Sequence, residues 1–179
     1  MWLPAGICSL TADCEYLSPP YVEQVKPQLT GRSFLIRFAD DFVLGCENEV
    51  DACRVMAVLA KRFAKFELNI HPTKSEMIRF KWPSKYSVTH GNGTFDFLGF
   101  THYWARSRRG NWVIKRKTIG KRQRRALRNL FLYCRNNRHA PVKEQHQQLC
   151  SKLRGLYNYY GIRSNYRCLE AIYERAKKS

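Results

Sequence analysis

The 179-residue chain has no apolar run approaching the ~20 residues needed to span a bilayer. Its first residues lack the basic start and long apolar core of a secretion signal. Together these absences point to a soluble, intracellular protein. There is no Cys-x-x-Cys, and the cysteines number seven (Cys8, Cys14, Cys46, Cys53, Cys134, Cys150 and Cys168). An odd count without that motif argues against a disulfide framework and a zinc ribbon. Several sit at apolar periodic positions, where a free thiol behaves as a small hydrophobe, so the thiols are read as structural. The histidines His71, His90, His102, His139 and His146 show no metal-ligand spacing. Aromatic and aliphatic residues are plentiful, which excludes global disorder.

Acidic residues are the most telling shortage. None occurs between Phe97 and Lys143, a window that holds 14 Lys or Arg, and the whole chain carries a net charge of +18. A polyanion is the natural partner for such a segment. Charge alone fits an anionic membrane surface as well as nucleic acid. A solvated basic face is the plain alternative, but solvated faces usually mix signs.

The acids that are present include an adjacent pair, Asp40-Asp41. It lies between Phe34-Leu35-Ile36-Arg37-Phe38 and Phe42-Val43-Leu44, two runs of strand-forming residues. That pattern predicts a tight β-hairpin with acid at its tip. Two carboxylates a few Å apart repel by roughly 1 kcal/mol in water and about 4 near a protein surface. A divalent cation removes the penalty, and Mg²⁺ takes one or two protein carboxylates. On the dipeptide alone, a solvated turn is the favoured reading.

Along the chain, Met1 to Pro20 show no clean period and end in the breaker cluster Ser18-Pro19-Pro20. Glu47 to Phe66 repeat apolar residues at helical spacing, with acids at the start and bases near the end. Ser75 to Phe80, Phe95 to Trp104 and Trp112 to Lys117 read as strands. After Thr118, a predicted N-cap, three helices follow: one from Ile119, one opened by Pro141 and closed near Gly161, and one capped by Asn165. The chain thus shifts from mixed α/β to all-α near residue 118, and the fold class expected is α+β.

Four motifs carry a resemblance. Phe38-Ala39-Asp40-Asp41, His71-Pro72-Thr73-Lys74, Phe97-Leu98-Gly99-Phe100 and Leu153-Arg154-Gly155-Leu156-Tyr157-Asn158-Tyr159-Tyr160-Gly161 follow one another in that order. Over about Tyr21 to Tyr173 the chain resembles the palm and thumb of a group II intron reverse transcriptase, the intron-encoded maturase family. The implied architecture is an unmatched segment 1–20, a partial palm 21–117 of antiparallel sheet plus helix, and a three-helix thumb 118–179.

The resemblance implies RNA-directed DNA synthesis by two-metal nucleotidyl transfer, with Mg²⁺ held by Asp40 directly and by Asp41 more peripherally. Phe38, where the family has Tyr, keeps a ring expected to pack beneath the metals. Lys74 would protonate or screen the departing pyrophosphate, or is a solvated turn lysine. Phe97, Leu98, Gly99 and Phe100 would grip the primer, with Gly99 allowing close approach. Arg106, Arg108, Arg109, Lys115, Arg116, Lys117, Lys121, Arg122, Arg124, Arg125, Arg128 and Arg154 would contact phosphates of RNA and a DNA primer. Tyr157, Tyr159 and Tyr160 could stack on bases, but spacing assigns Tyr157 and Tyr160 to the core and leaves Tyr159 exposed.

The family also has fingers and a first palm strand with a further metal-binding aspartate. Ahead of Asp40 the acids are Asp13, Glu15 and Glu23, none in a strand-like apolar setting. The two-metal site is therefore expected to be incomplete in this chain. Three outcomes stay open: a polymerase fragment completed by a separate fingers and palm chain, an RNA-binding maturase-type module that assists splicing, or a truncated remnant without function.

Overall fold

In the computed structural model, the residues described are 6–11 (backbone only), 25–39, 41–65, 75–83 and 93–178. The fold is α+β. Strands β1 (Gly6–Thr11), β2 (Ser33–Phe38) and β3 (Asp41–Cys46) precede helix α1 (Glu49–Ala64) and strand β4 (Glu76–Ile78). Strands β5 (Thr94–Phe97), β6 (Phe100–Arg106) and β7 (Trp112–Thr118) lead to helices α2 (Gly120–Asn136), α3 (Val142–Tyr160) and α4 (Tyr166–Lys177). Among the described residues no helix is long and apolar enough to cross a membrane.

The chain divides into two units, 1–98 with 102–114, and 99–101 with 115–179. In the first unit an antiparallel sheet has the order β2-β3-β1-β4. Strand β3 is central, and Phe42 to Cys46 are buried on both of its faces. Because side chains alternate along a strand, Phe42, Leu44 and Cys46 meet Ala52, Val55, Leu59 and Phe63 of α1. Those four helix residues recur at three- and four-residue intervals, which places them on one stripe. Val43 points the other way, into a cluster of Phe80, Phe95 and Trp104. There Phe80 stacks on Trp104 at 5.2 Å and meets Phe95 edge-on at 5.1 Å.

The entry to α1 is tied down by a buried acid. Asn48 is its N-cap but makes no side-chain cap bond. Instead Asp51 Oδ2 accepts from the Gly31 N–H at 2.8 Å and from Thr30 Oγ1 at 2.9 Å. The Gly31 N–H, opposed by burial and aided by Thr30, holds the Asp51 carboxyl below its ordinary range.

Two expectations are corrected here. Phe95 to Trp104 is not one strand: Leu98 and Gly99 have φ of 49° and 81°, and two consecutive positive-φ residues turn the chain back as a tight hairpin. Thr118 is not the cap of α2. It ends β7, and the N-cap position falls to Ile119. Strand β1, in a stretch without periodicity, was not legible in the sequence.

In the second unit α4 packs on both α2 and α3, burying Leu130, Ile172 and Ala176. Asn165 begins α4 as expected, yet its side chain bonds away from the helix. Asn165 Oδ1 accepts from the Thr118 N–H at 2.8 Å, while Nδ2 donates to Thr118 Oγ1 and to the Tyr160 carbonyl. Neighbouring Ser164 Oγ accepts from the Arg116 N–H and donates to the Arg116 carbonyl. Two side chains thereby satisfy backbone groups of β7 in the way a further strand would.

Candidate Asp-Asp hairpin and nucleic-acid interface

The predicted acidic hairpin forms. Phe38 pairs with Asp41 across β2 and β3, so only two residues connect the strands. Ala39 is one of them, with φ of 50°; Asp40 lies outside the described residues, as does Lys74. Asp41 opens β3 and is half-buried. On its other side it faces Thr11 of β1, and the β1 sequence Gly-Ile-Cys-Ser-Leu-Thr contains no acid.

Arg37, which sequence reasoning did not single out, donates from Nε to the Ala39 carbonyl at 3.1 Å. It therefore brings a fixed positive charge to the acidic turn. A basic residue three positions before the acid pair was the signal available. Phe38 departs from expectation: its ring is 63% exposed and not packed beneath the turn. Phe38 is the last residue of β2, an edge strand of the sheet, and neither aromatic nor aliphatic core cluster includes it.

Residues 16–102, just under half of the chain, match the family model described as reverse transcriptase (RNA-dependent DNA polymerase). That stretch is similar to a reverse transcriptase. It contains the Asp-Asp hairpin, α1 and the Phe97–Phe100 turn, so three features of the reverse-transcriptase-like reading fall inside it. No curated protein matches the chain.

Hard carboxylate oxygens at a hairpin tip suit Mg²⁺ chemically. Among the described residues, however, no group of three or more His, Cys, Asp or Glu could hold a metal ion. Asp41 is the one acid of the tip within them. Within them Asp41 would supply one carboxylate to such a cation.

In the Phe97–Phe100 motif, Gly99 is tightly surrounded. A Cβ there would lie 3.3 Å from Tyr160 Oη and 3.4 Å from Arg122 Nη1. On that side the glycine admits protein side chains. Its carbonyl accepts from the Ile119 N–H at 3.1 Å, which fixes the turn against the start of α2.

The basic residues named from the sequence lie largely at the surface. Arg106, Arg108, Arg109, Arg116, Lys117, Lys121, Arg122, Arg124, Arg125, Arg128 and Arg154 are exposed, and Lys115 is half-buried. Arg106 donates to the Gly110 carbonyl and stacks on Trp112 at 4.7 Å, shaping the β6–β7 turn. On α2 the exposed bases leave Ala126, Leu127 and Leu130 for the inward side. Tyr159 is exposed and Tyr157 and Tyr160 are partly buried, in accord with their spacing.

Proposed function

We propose that these residues are the palm-and-thumb portion of a group II intron-type RNA-directed DNA polymerase, and that the 179-residue chain does not polymerise alone. The Phe38–Asp41 pairing is the observation that carries this reading, because it sets Asp41 at the head of β3 directly after a two-residue connection. Asp40 and Asp41 would hold Mg²⁺, which in such enzymes activates the attacking 3′-oxygen and stabilises the leaving pyrophosphate. Lys74 would neutralise charge on that leaving group. The acid-free β1 beside Asp41 supports the second half of the proposal: the adjoining strand offers Thr11, not another carboxylate.

The partners proposed are RNA, as template or intron, and a DNA primer, gripped at Phe97–Phe100 and along the exposed bases, with a separate fingers and palm chain to complete the site. The reading places the protein in the cytoplasm or an organelle, where such RNA is found. The run of exposed cations without any acid from Phe97 to Lys143 also favours a second reading, an RNA-binding module of maturase type. Mg²⁺-dependent primer extension on an RNA template, with Asp40→Ala alongside, tests both. Extension by the wild type and not by the variant would overturn inactivity of the lone chain. Salt-sensitive RNA binding by both proteins without extension is the result expected.

A further inference from the structure

Three aromatic rings meet beside the Gly99 turn. Phe100 and Tyr159 lie nearly parallel, 8° apart with centroids 6.0 Å apart. Tyr160 meets both edge-on, at 5.4 Å from Phe100 and 4.7 Å from Tyr159. Phe100 is buried, whereas Tyr159 keeps 52% of its surface exposed. An exposed ring is ordinarily mobile, but this one is fixed in tilt by two neighbours. The same turn holds Arg122, whose guanidinium approaches Gly99 beside the Tyr160 hydroxyl.

We propose that Tyr159, backed by Phe100 and braced by Tyr160, is a stacking seat for one unpaired base of a single-stranded nucleic acid, with Arg122 taking an adjacent phosphate. This rests on the nucleic-acid reading above and names the part of the strand recognised. The chemistry selects the ligand. A flat, prefixed aromatic face accepts any base, and cations without competing acids accept the phosphate. A base within a duplex has its faces covered by its neighbours, so an unpaired one is required. Tyr159 is a binding residue here, and Phe100 and Tyr160 are positioning residues.

The test uses the full chain and short fluorescent oligonucleotides, single-stranded RNA, single-stranded DNA and blunt duplex, with 2-aminopurine as a stacking probe. Tyr159→Ala is expected to weaken single-strand binding about 5- to 150-fold, the equivalent of 1–3 kcal/mol per stacked base. Duplex binding should be unchanged, and the quenching of 2-aminopurine should disappear. Tyr159→Phe should keep both affinity and quenching. Tyr159→Leu, which retains apolar bulk without a π face, should behave as Ala and guards against a merely structural effect. Equal losses for RNA and DNA would assign recognition to the base; a loss for one alone would assign the seat to that strand. Wild-type binding left intact in Tyr159→Ala, with quenching retained, overturns the seat while the nucleic-acid reading stands. Absence of binding by every form overturns both.

Discussion

Asn165 and Thr118, 47 residues apart, exchange two hydrogen bonds in a buried setting, 2.8 Å from the Thr118 N–H and 2.7 Å to its hydroxyl. The Asn165 amide has no strand of its own to belong to. It acts as a piece of β-ladder carried on a loop, and its third bond, to the Tyr160 carbonyl, ties down the end of α3. One side chain thereby joins the end of β7, the end of α3 and the start of α4.

Removing that amide should be costly. Asn165→Ala leaves the buried Thr118 N–H without its partner, at about 1–3 kcal/mol for an unsatisfied group, and takes one of two bonds from the Tyr160 carbonyl, which keeps the Ile162 N–H. Urea denaturation should show a lower midpoint, with Asn165→Asp only partly rescuing it because the donor to Thr118 Oγ1 and Tyr160 O is lost.

Gly99→Ala should destabilise the hairpin for two reasons. Its φ of 81° disfavours any L side chain, and the new Cβ would press on Tyr160 and Arg122. A left-handed non-glycine residue costs about 1 kcal/mol before any crowding, so a loss of at least that size is expected by thermal or urea unfolding. Gly110→Ala is a useful control: it has φ of 80° with open space around it, and should show the conformational cost alone.

Acid sensitivity should trace to Asp51. Its carboxyl is held below the ordinary value chiefly by the Gly31 N–H. A depressed folded-state pKa gives stability that is fully present above the unfolded value of about 3.9, and is lost as pH falls through the lowered one. Stability measured from pH 6 down to pH 2 should therefore fall more steeply in the wild type than in Asp51→Asn. The variant should be less stable near neutrality by about 1.5–3 kcal/mol, the range for hydrogen bonds to a charged group.

Nucleic-acid affinity should be strongly salt-dependent. If six to ten phosphates are neutralised, affinity should drop ~10³–10⁵-fold between 50 and 200 mM salt. Each of Arg124→Gln and Arg125→Gln should lower the slope of log affinity against log salt by about 0.7–0.9. A slope unaffected by both would remove α2 from the interface.

Strands, helices and their order were largely legible because periodicity reports one-sided burial. Glu47 to Phe66 read as a helix and appears as Glu49–Ala64; the acidic hairpin appears with a two-residue turn. Three features were not legible. Strand β1 lies in a stretch without a clean period, and its place beside β3 is set by backbone pairing. The break at Leu98-Gly99 required dihedral angles of a kind that Gly allows and Leu seldom adopts. Thr118 and Asn165 both resemble helix caps, but a buried partner for the Asn165 amide competes better than the helix end.

The sequence by itself determined composition-level facts: the α+β class, the acid-free cationic window and the adjacent carboxylates between two apolar runs. These follow from local propensity and from charge, which need no partner in space. Only the tertiary structure decided which side chains share a surroundings. It surrounded Gly99 with Tyr160 and Arg122, left Phe38 exposed and set Tyr159 parallel to Phe100. Such neighbours lie tens of residues apart along the chain, and packing, not spacing, brings them together.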